Sequence, residues 1–137
     1  MFYKKESWAI SPKKAYETDA GWDLYAPEDI IVLPHDFSNR IDLGVAFGTP
    51  KGYCGMVLER SSQGKVGVDS IGRLVDFGYN GNVHVTLVNH GFDDYKVKKG
   101  DRICQIIFPM IYTGDMVEVK ELPKSERGKN AHGSSGK

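Results

Sequence analysis

Four internal stretches of this chain, and its last eleven residues, carry polar side chains that packing alone does not explain. In "TDAGWDLYA", Asp19 and Asp23 flank Gly21 just ahead of a strand-like run. Such carboxylates either accept backbone hydrogen bonds in a turn or face a hydrated divalent cation. In "ERSSQGK", Arg60, Ser61 and Ser62 follow an apolar run and precede a glycine. Arg60 either pairs with Glu59 at the surface or joins the two hydroxyls in a phosphate site, with close backbone approach at the glycine. In "GRLVDFGYNGNVHV", Asp76 follows Leu74 and Val75, and residues 70–82 read as a β-hairpin with that carboxylate and Tyr79 near its tip. Asp76 then serves the turn, or acts as a general base whose proton affinity is set by its aromatic neighbours. Gln105 sits inside "GDRICQIIF", where a buried amide is either satisfied by local backbone or aimed into a site. The tail, "RGKNAHGSSGK", opens on Arg127 and has no large apolar side chain, so it is expected to be mobile. It is idle, or it is a lid that orders over an anion.

A carboxylate for metal-bound water, arginine and serine for phosphate, a hairpin acid beside a tyrosine, and a second arginine on a mobile tail are the parts of a phosphate-ester hydrolase acting on a nucleotide.

The elements that must position these groups are strands. No run of ten or more residues holds a 3.6-residue period, whereas short β-branched and aromatic runs are bounded by Gly, Pro, Asn or Asp. Strands are expected at 29–33, 40–47, 53–59, 82–89, 102–108 and 116–122. Within 82–89, Val83, Val85 and Leu87 alternate with His84, Thr86 and Val88, one face for a core and one more mixed. "RSSQGK" is a single helical turn or a loop. The pattern gives an all-β sandwich, jelly roll or small barrel.

With 137 residues, 40% hydrophobic, the chain suits one domain with a real core. Lys plus Arg and Asp plus Glu are both 18, so no global field favours nucleic acid or an anionic membrane, and any anion site must be local. "MFYKKESWAI" has no signal-like apolar stretch and no run has the length of a membrane span, which points to an intracellular, cytoplasmic protein. Cys54 and Cys104 read as small buried thiols, and the four histidines show no zinc-ligand spacing.

The order of these motifs resembles the trimeric dUTPase family over nearly the whole chain: "DAGWDLYA", "ERSSQGK", "GRLVDFGYNG", "GDRICQIIF" and "RGKNAHGSSG" stand where that family has its five motifs. The resemblance implies a jelly-roll-like distorted β-barrel over residues 1–123, a Gly-rich lid over 124–137, and a homotrimer sharing sites between chains. It implies Mg2+-dependent hydrolysis of dUTP to dUMP and pyrophosphate. By the same resemblance Asp23 holds a water of the Mg2+ ion, and Arg60, Ser61, Ser62 and Gln105 contact phosphate oxygens. Asp76 deprotonates the water that attacks the α-phosphorus, and Tyr79 packs on the deoxyribose. Backbone between Val68 and Tyr79, including Ser70, meets the uracil edge. Arg127 reaches the γ-phosphate while His132, Gly133 and Ser134 close over the substrate.

Departures from the family pattern bear on these roles. His132 and Ala131 replace a usual phenylalanine and glycine in the lid, Glu59 a proline, Ser70 an asparagine, and Asn80 an arginine or glutamine. The stretch from Ser62 to Asp76 is also shortened. These keep two other functions in view: a same-fold dCTP deaminase or bifunctional dCTP/dUTP enzyme, and a catalytically weak nucleotide-sensing trimer that binds a regulatory protein.

Overall fold

The computed structural model describes residues 1–126 together with Gly128 and Lys129. In chain order the elements are β1 (Phe2–Lys5), β2 (Trp22–Tyr25), β3 (Ile30–Val32), β4 (Asp36–Phe37), β5 (Ile41–Asp42), β6 (Val45–Gly48), β7 (Gly55–Leu58), α1 (Ser61–Gly64), β8 (Val68–Ile71), β9 (Leu74–Val75), β10 (His84–Asn89), β11 (Tyr95–Val97) and β12 (Arg102–Ile107). The fold is all-β, in a jelly-roll-like barrel of antiparallel sheets, with one helical turn where "RSSQGK" allowed it.

Two strands organise it. β10 alternates as its sequence dictates, with Val85, Leu87 and Asn89 buried and His84, Thr86 and Val88 half-exposed. β8 lies along one edge of β10, while β4 and β5 share the other. Ser38 bridges the gap between β4 and β5: its N–H donates to Leu87 O at 2.8 Å and its Oγ accepts the Leu87 N–H at 2.9 Å. β12 is central to the second sheet, ordered β2-β12-β7-β9, and places Gln105 opposite Asp23 on one side and Leu58 on the other. Leu24, Val57, Ile103 and Ile106 of this sheet pack in one core with Val85 and Leu87 of β10. The pairs β1–β6 and β3–β11 complete the wall.

Three expectations are corrected. The run 40–47 is two strands rather than one, because the chain turns at Gly44, whose φ is +63° and where a Cβ would meet Trp8 Cη2 at 2.5 Å. Residues 70–82 do not close into a hairpin of two mutually paired arms: after Gly72 (φ +83°) the chain leaves β8, paired to β10, for β9, paired to β7. Residues 116–122 form no strand: their β-type composition finds no pairing, and Met116, Val117 and Leu122 stand 96%, 80% and 84% exposed.

Cys54 and Cys104 are both buried free thiols, and burial pushes the Cys104 thiol far above its ordinary range. Neither is a nucleophile in this setting. No helix among the described residues is long and apolar enough to cross a membrane.

Ile106, fully buried near the end of β12 and part of the core shared by both sheets, is the residue whose loss should most directly loosen them. Ile106→Ala is expected to cost about 2–5 kcal/mol of unfolding free energy, measured by urea titration. An unchanged midpoint would show that the core does not depend on β12.

Candidate active site

The strand ends of the second sheet carry the phosphate-type groups. Asp23 rises from β2 with its side chain 14% exposed, and each oxygen meets a guanidinium: Arg60 Nε lies 3.0 Å from Oδ1 and Arg102 Nη1 lies 3.2 Å from Oδ2. One carboxylate between two arginines leaves one net positive charge at the rim, which suits an anionic ligand. Asp19 has the other fate foreseen for this motif, its Oδ2 accepting the Tyr16 N–H at 2.9 Å in a turn. Ser61 and Ser62 are exposed on α1, directly after Arg60.

A glutamine that the sequence reading passed over sets this arrangement. Gln63 is 2% exposed; its Oε1 accepts the Arg60 N–H at 2.9 Å and its Nε2 donates to Ile103 O at 2.8 Å. It thus ties the start of α1 to the beginning of β12. The spacing is that of a capping box, but an arginine at the first position masks the usual Ser/Thr signal. Gln105 Nε2 donates to Glu59 O at 3.1 Å, so the amide nitrogen is satisfied by backbone. Its Oε1 lies over Gly21, where a Cβ would approach to 2.6 Å, so the glycine of "DAGWD" makes room for Gln105.

The acid lies elsewhere. Asp76 follows β9 at an exposed turn closed by Tyr79 N–H donating to Asp76 O at 3.2 Å. The two side chains line a cavity of about 270 Å³ together with Gly72, Asn82 and His84. Tyr79 OH donates to Asn82 O at 3.0 Å. Ser70, by contrast, is fully buried on β8, and its Oγ has no hydrogen-bond partner among the described residues.

Glu59 does not face the Arg60 side. Arg73, in the turn between β8 and β9, lies 3.5 Å from Glu59 Oε2, pairs with Asp69, and donates from Nε to Ser70 O at 2.5 Å. Arg73, Arg102, Gln63, Asn82 and His84 are the polar residues that sequence reasoning missed. Arg102 alone had a local signal, a cation just ahead of the strand that carries Gln105. Arg127, His132, Gly133 and Ser134 lie outside the described residues.

Thus Asp23, Arg60 and Gln105 come together, as do Asp76 and Tyr79, but the two groups are apart. Asp76 adjoins Val75, which sits opposite Gly55 at the start of β7, whereas Arg60 lies beyond its far end. The six residue steps from Cys54 to Arg60 span on the order of 20 Å of extended chain.

No cluster of three His, Cys, Asp or Glu side chains suited to a metal ion exists among the described residues. A magnesium ion brought by a ligand's phosphates still fits the Asp23 rim, since hydrated Mg2+ needs only one or two carboxylates and each Asp23 oxygen keeps a second lone pair.

In fold and equipment this is a nucleotide-hydrolase type of subunit, all-β, with a guanidinium rim and a separate acid-bearing slot. The dUTPase family profile matches residues 7–136. The deoxyuridine 5'-triphosphate nucleotidohydrolase of Clostridioides difficile is 38% identical over 131 residues, 93% of this chain and 91% of that protein. The protein of the same name from Variola virus is 34% identical over 135 residues, 98% of this chain and 91% of its own. A solved structure of the Staphylococcus bacteriophage 80alpha dUTPase with dUpNHpp superposes with a TM-score of 0.90 at 26% identity, covering 98% of this chain and 97% of that one. The chain belongs to the dUTPase family.

Gln63→Glu keeps an acceptor for the Arg60 N–H but turns a carboxylate oxygen against Ile103 O. This near-isosteric change is expected to lower stability by about 1–3 kcal/mol in urea unfolding. Wild-type stability in that variant would mean that Gln63 does not hold α1 to β12.

Proposed function

We propose that this chain hydrolyses dUTP to dUMP and pyrophosphate in a homotrimer whose sites are each shared between copies. The observation that carries the reading is the separation of Asp76 from Arg60 along β7. A triphosphate is far shorter than that gap, so one copy supplies the acid and its slot while another supplies the guanidinium rim. The exposed apolar residues Met116, Val117 and Leu122 support association with further copies. The names of the curated relatives, and the dUpNHpp bound by the 80alpha protein, support deoxyuridine triphosphate as substrate.

In this mechanism Asp76 accepts a proton from a water whose oxygen attacks the α-phosphorus. The bond from that phosphorus to its bridging oxygen breaks, and pyrophosphate leaves. Tyr79 packs against the deoxyribose, and backbone from Val68 to Tyr79, Ser70 included, reads the uracil edge. Arg60, Ser61, Ser62 and Gln105 bind phosphate oxygens, so charge building on them is met by groups already in place. Asp23 would hold a water of a Mg2+ ion arriving with the triphosphate, and that ion would supply charge neutralisation. Residues 124–137 form the lid: Arg127 pairs with the γ-phosphate, while His132, Gly133 and Ser134 close over the base and phosphates and exclude water.

The test is pyrophosphate release from dUTP, dCTP, dTTP and UTP, with and without Mg2+, alongside light scattering for three times the 15.2 kDa subunit mass. Ammonia release from dCTP would favour a deaminase, and dUTP binding without turnover a nucleotide sensor. Asp76→Asn is expected to hold dUpNHpp with near wild-type affinity and to lose about 10²- to 10⁴-fold in kcat. Full turnover in that variant would remove the mechanism.

A further inference from the structure

Asn80, just past the turn after β9, is the one asparagine in the sequence that a glycine follows. Gly81 is required where it stands: a Cβ there would meet the Tyr79 hydroxyl oxygen at 2.5 Å and Cζ at 2.7 Å, so the phenol ring lies directly over it. From that position Tyr79 OH donates to Asn82 O at 3.0 Å and brackets the Asn80–Gly81 pair from both sides. Asn80 is exposed, in backbone that belongs to no strand or helix. It lines an open groove of about 380 Å³ beside β1, together with Phe2, Lys4 and Gly48. Among the described residues no hydrogen bond engages the Asn80 amide or the Gly81 N–H.

A backbone nitrogen that is bonded to no carbonyl and has no Cβ beside it can attack the side-chain carbonyl of the residue before it. The other asparagines of the β10 region lack these conditions. Asn89 is buried, with Nδ2 donating to Val32 O and Asp93 O and Oδ1 accepting the Gly91 N–H. Asn82 Nδ2 donates to Asp42, and the next residue is the β-branched Val83, whose N–H is held by Val45 O at 2.8 Å.

We propose that Asn80–Gly81 is a self-modification site of this protein, at which the Gly81 nitrogen attacks Asn80 Cγ. The new C–N bond closes a cyclic succinimide, and the Asn80 amide nitrogen leaves as ammonia, carrying the proton that Gly81 gives up. Water then opens one of the two imide carbonyls and leaves aspartate or isoaspartate at position 80. The step needs no oxidant and no second protein, and it quickens as pH rises, because the Gly81 nitrogen must lose its proton to attack. Its effect on the site rests on the proposed function, in which Tyr79 packs against the deoxyribose. Isoaspartate routes the backbone through the former side chain, so a methylene enters between Tyr79 and Asn82 and parts the Tyr79 OH from Asn82 O. Either product also sets a new carboxylate beside Tyr79, where it repels a triphosphate.

The experiment ages the full chain in mildly acidic and mildly alkaline buffer and follows each asparagine by peptide mass spectrometry, with isoaspartate read by enzymatic methyl labelling. Position 80 should convert ahead of Asn39, Asn82 and Asn89, and faster in the alkaline sample. The isoaspartate form, separated by ion exchange, should show a KM for dUTP about three- to tenfold higher, as expected for one lost hydrogen bond. Asn80→Asp, which adds the charge without the methylene, should raise KM by less, up to about fivefold. Asn80→Gln, whose longer side chain closes the ring far more slowly, should keep its starting KM through the same treatment. Conversion at position 80 no faster than at Asn39 would overturn the modification site. Conversion that leaves KM unchanged would overturn its effect on the site. Asp76→Asn, assayed in parallel, separates the two levels: full turnover there removes the site reading and leaves the chemistry of Asn80 to stand on the mass data.

Discussion

One short strand decides what a single copy of this chain can and cannot do. β7 delivers Arg60 beyond one end and, through its pairing with β9, Asp76 at the other. Extended backbone cannot be shortened, so the acid and the guanidinium rim are held apart by covalent geometry rather than by a weak contact. Association between copies is then a requirement of the proposed chemistry, and the exposed apolar run near the C-terminus is the cost that an isolated subunit carries for it.

Within the rim, opposite charges do the positioning. Arg60 and Arg102 would repel each other at these distances, and Asp23 between them offsets that while leaving a surplus of positive charge toward solvent. Gln63 and Gln105 add neutral hydrogen bonds that fix the backbone around Arg60 from two sides. A chain of zero formal net charge thus still presents a local anion site, because its charges are sorted in space rather than in bulk.

Much of the arrangement was legible in the residues. The alternation in 82–89 gave β10 with its buried face, and the Asp23, Arg60 and Gln105 motifs proved to be spatial neighbours across β2, α1 and β12. What escaped were features set by tertiary partners. Short strands such as β1 and β2 have too few residues to show a period, and β8 and β9 look like one hairpin until their different partner strands are known. Gln63 and His84 carry no local pattern, since a buried capping glutamine and a cavity-lining histidine differ from surface residues only in what lies opposite them. Glu59 offered itself as a partner for the adjacent Arg60, and only the fold shows that Arg73 takes that place.

That last pairing reaches further than the subunit's stability. Glu59 precedes Arg60, and Arg73 stands three residues before Asp76, so the bridge ties the approach to one site to the approach to the next. Loss of Arg73 alone would strand a carboxylate oxygen that the fold keeps from water, and loss of Glu59 alone would free a guanidinium to seek the nucleotide. In lineages drifting from this sequence the two positions should therefore change hands together, as a charged couple or not at all.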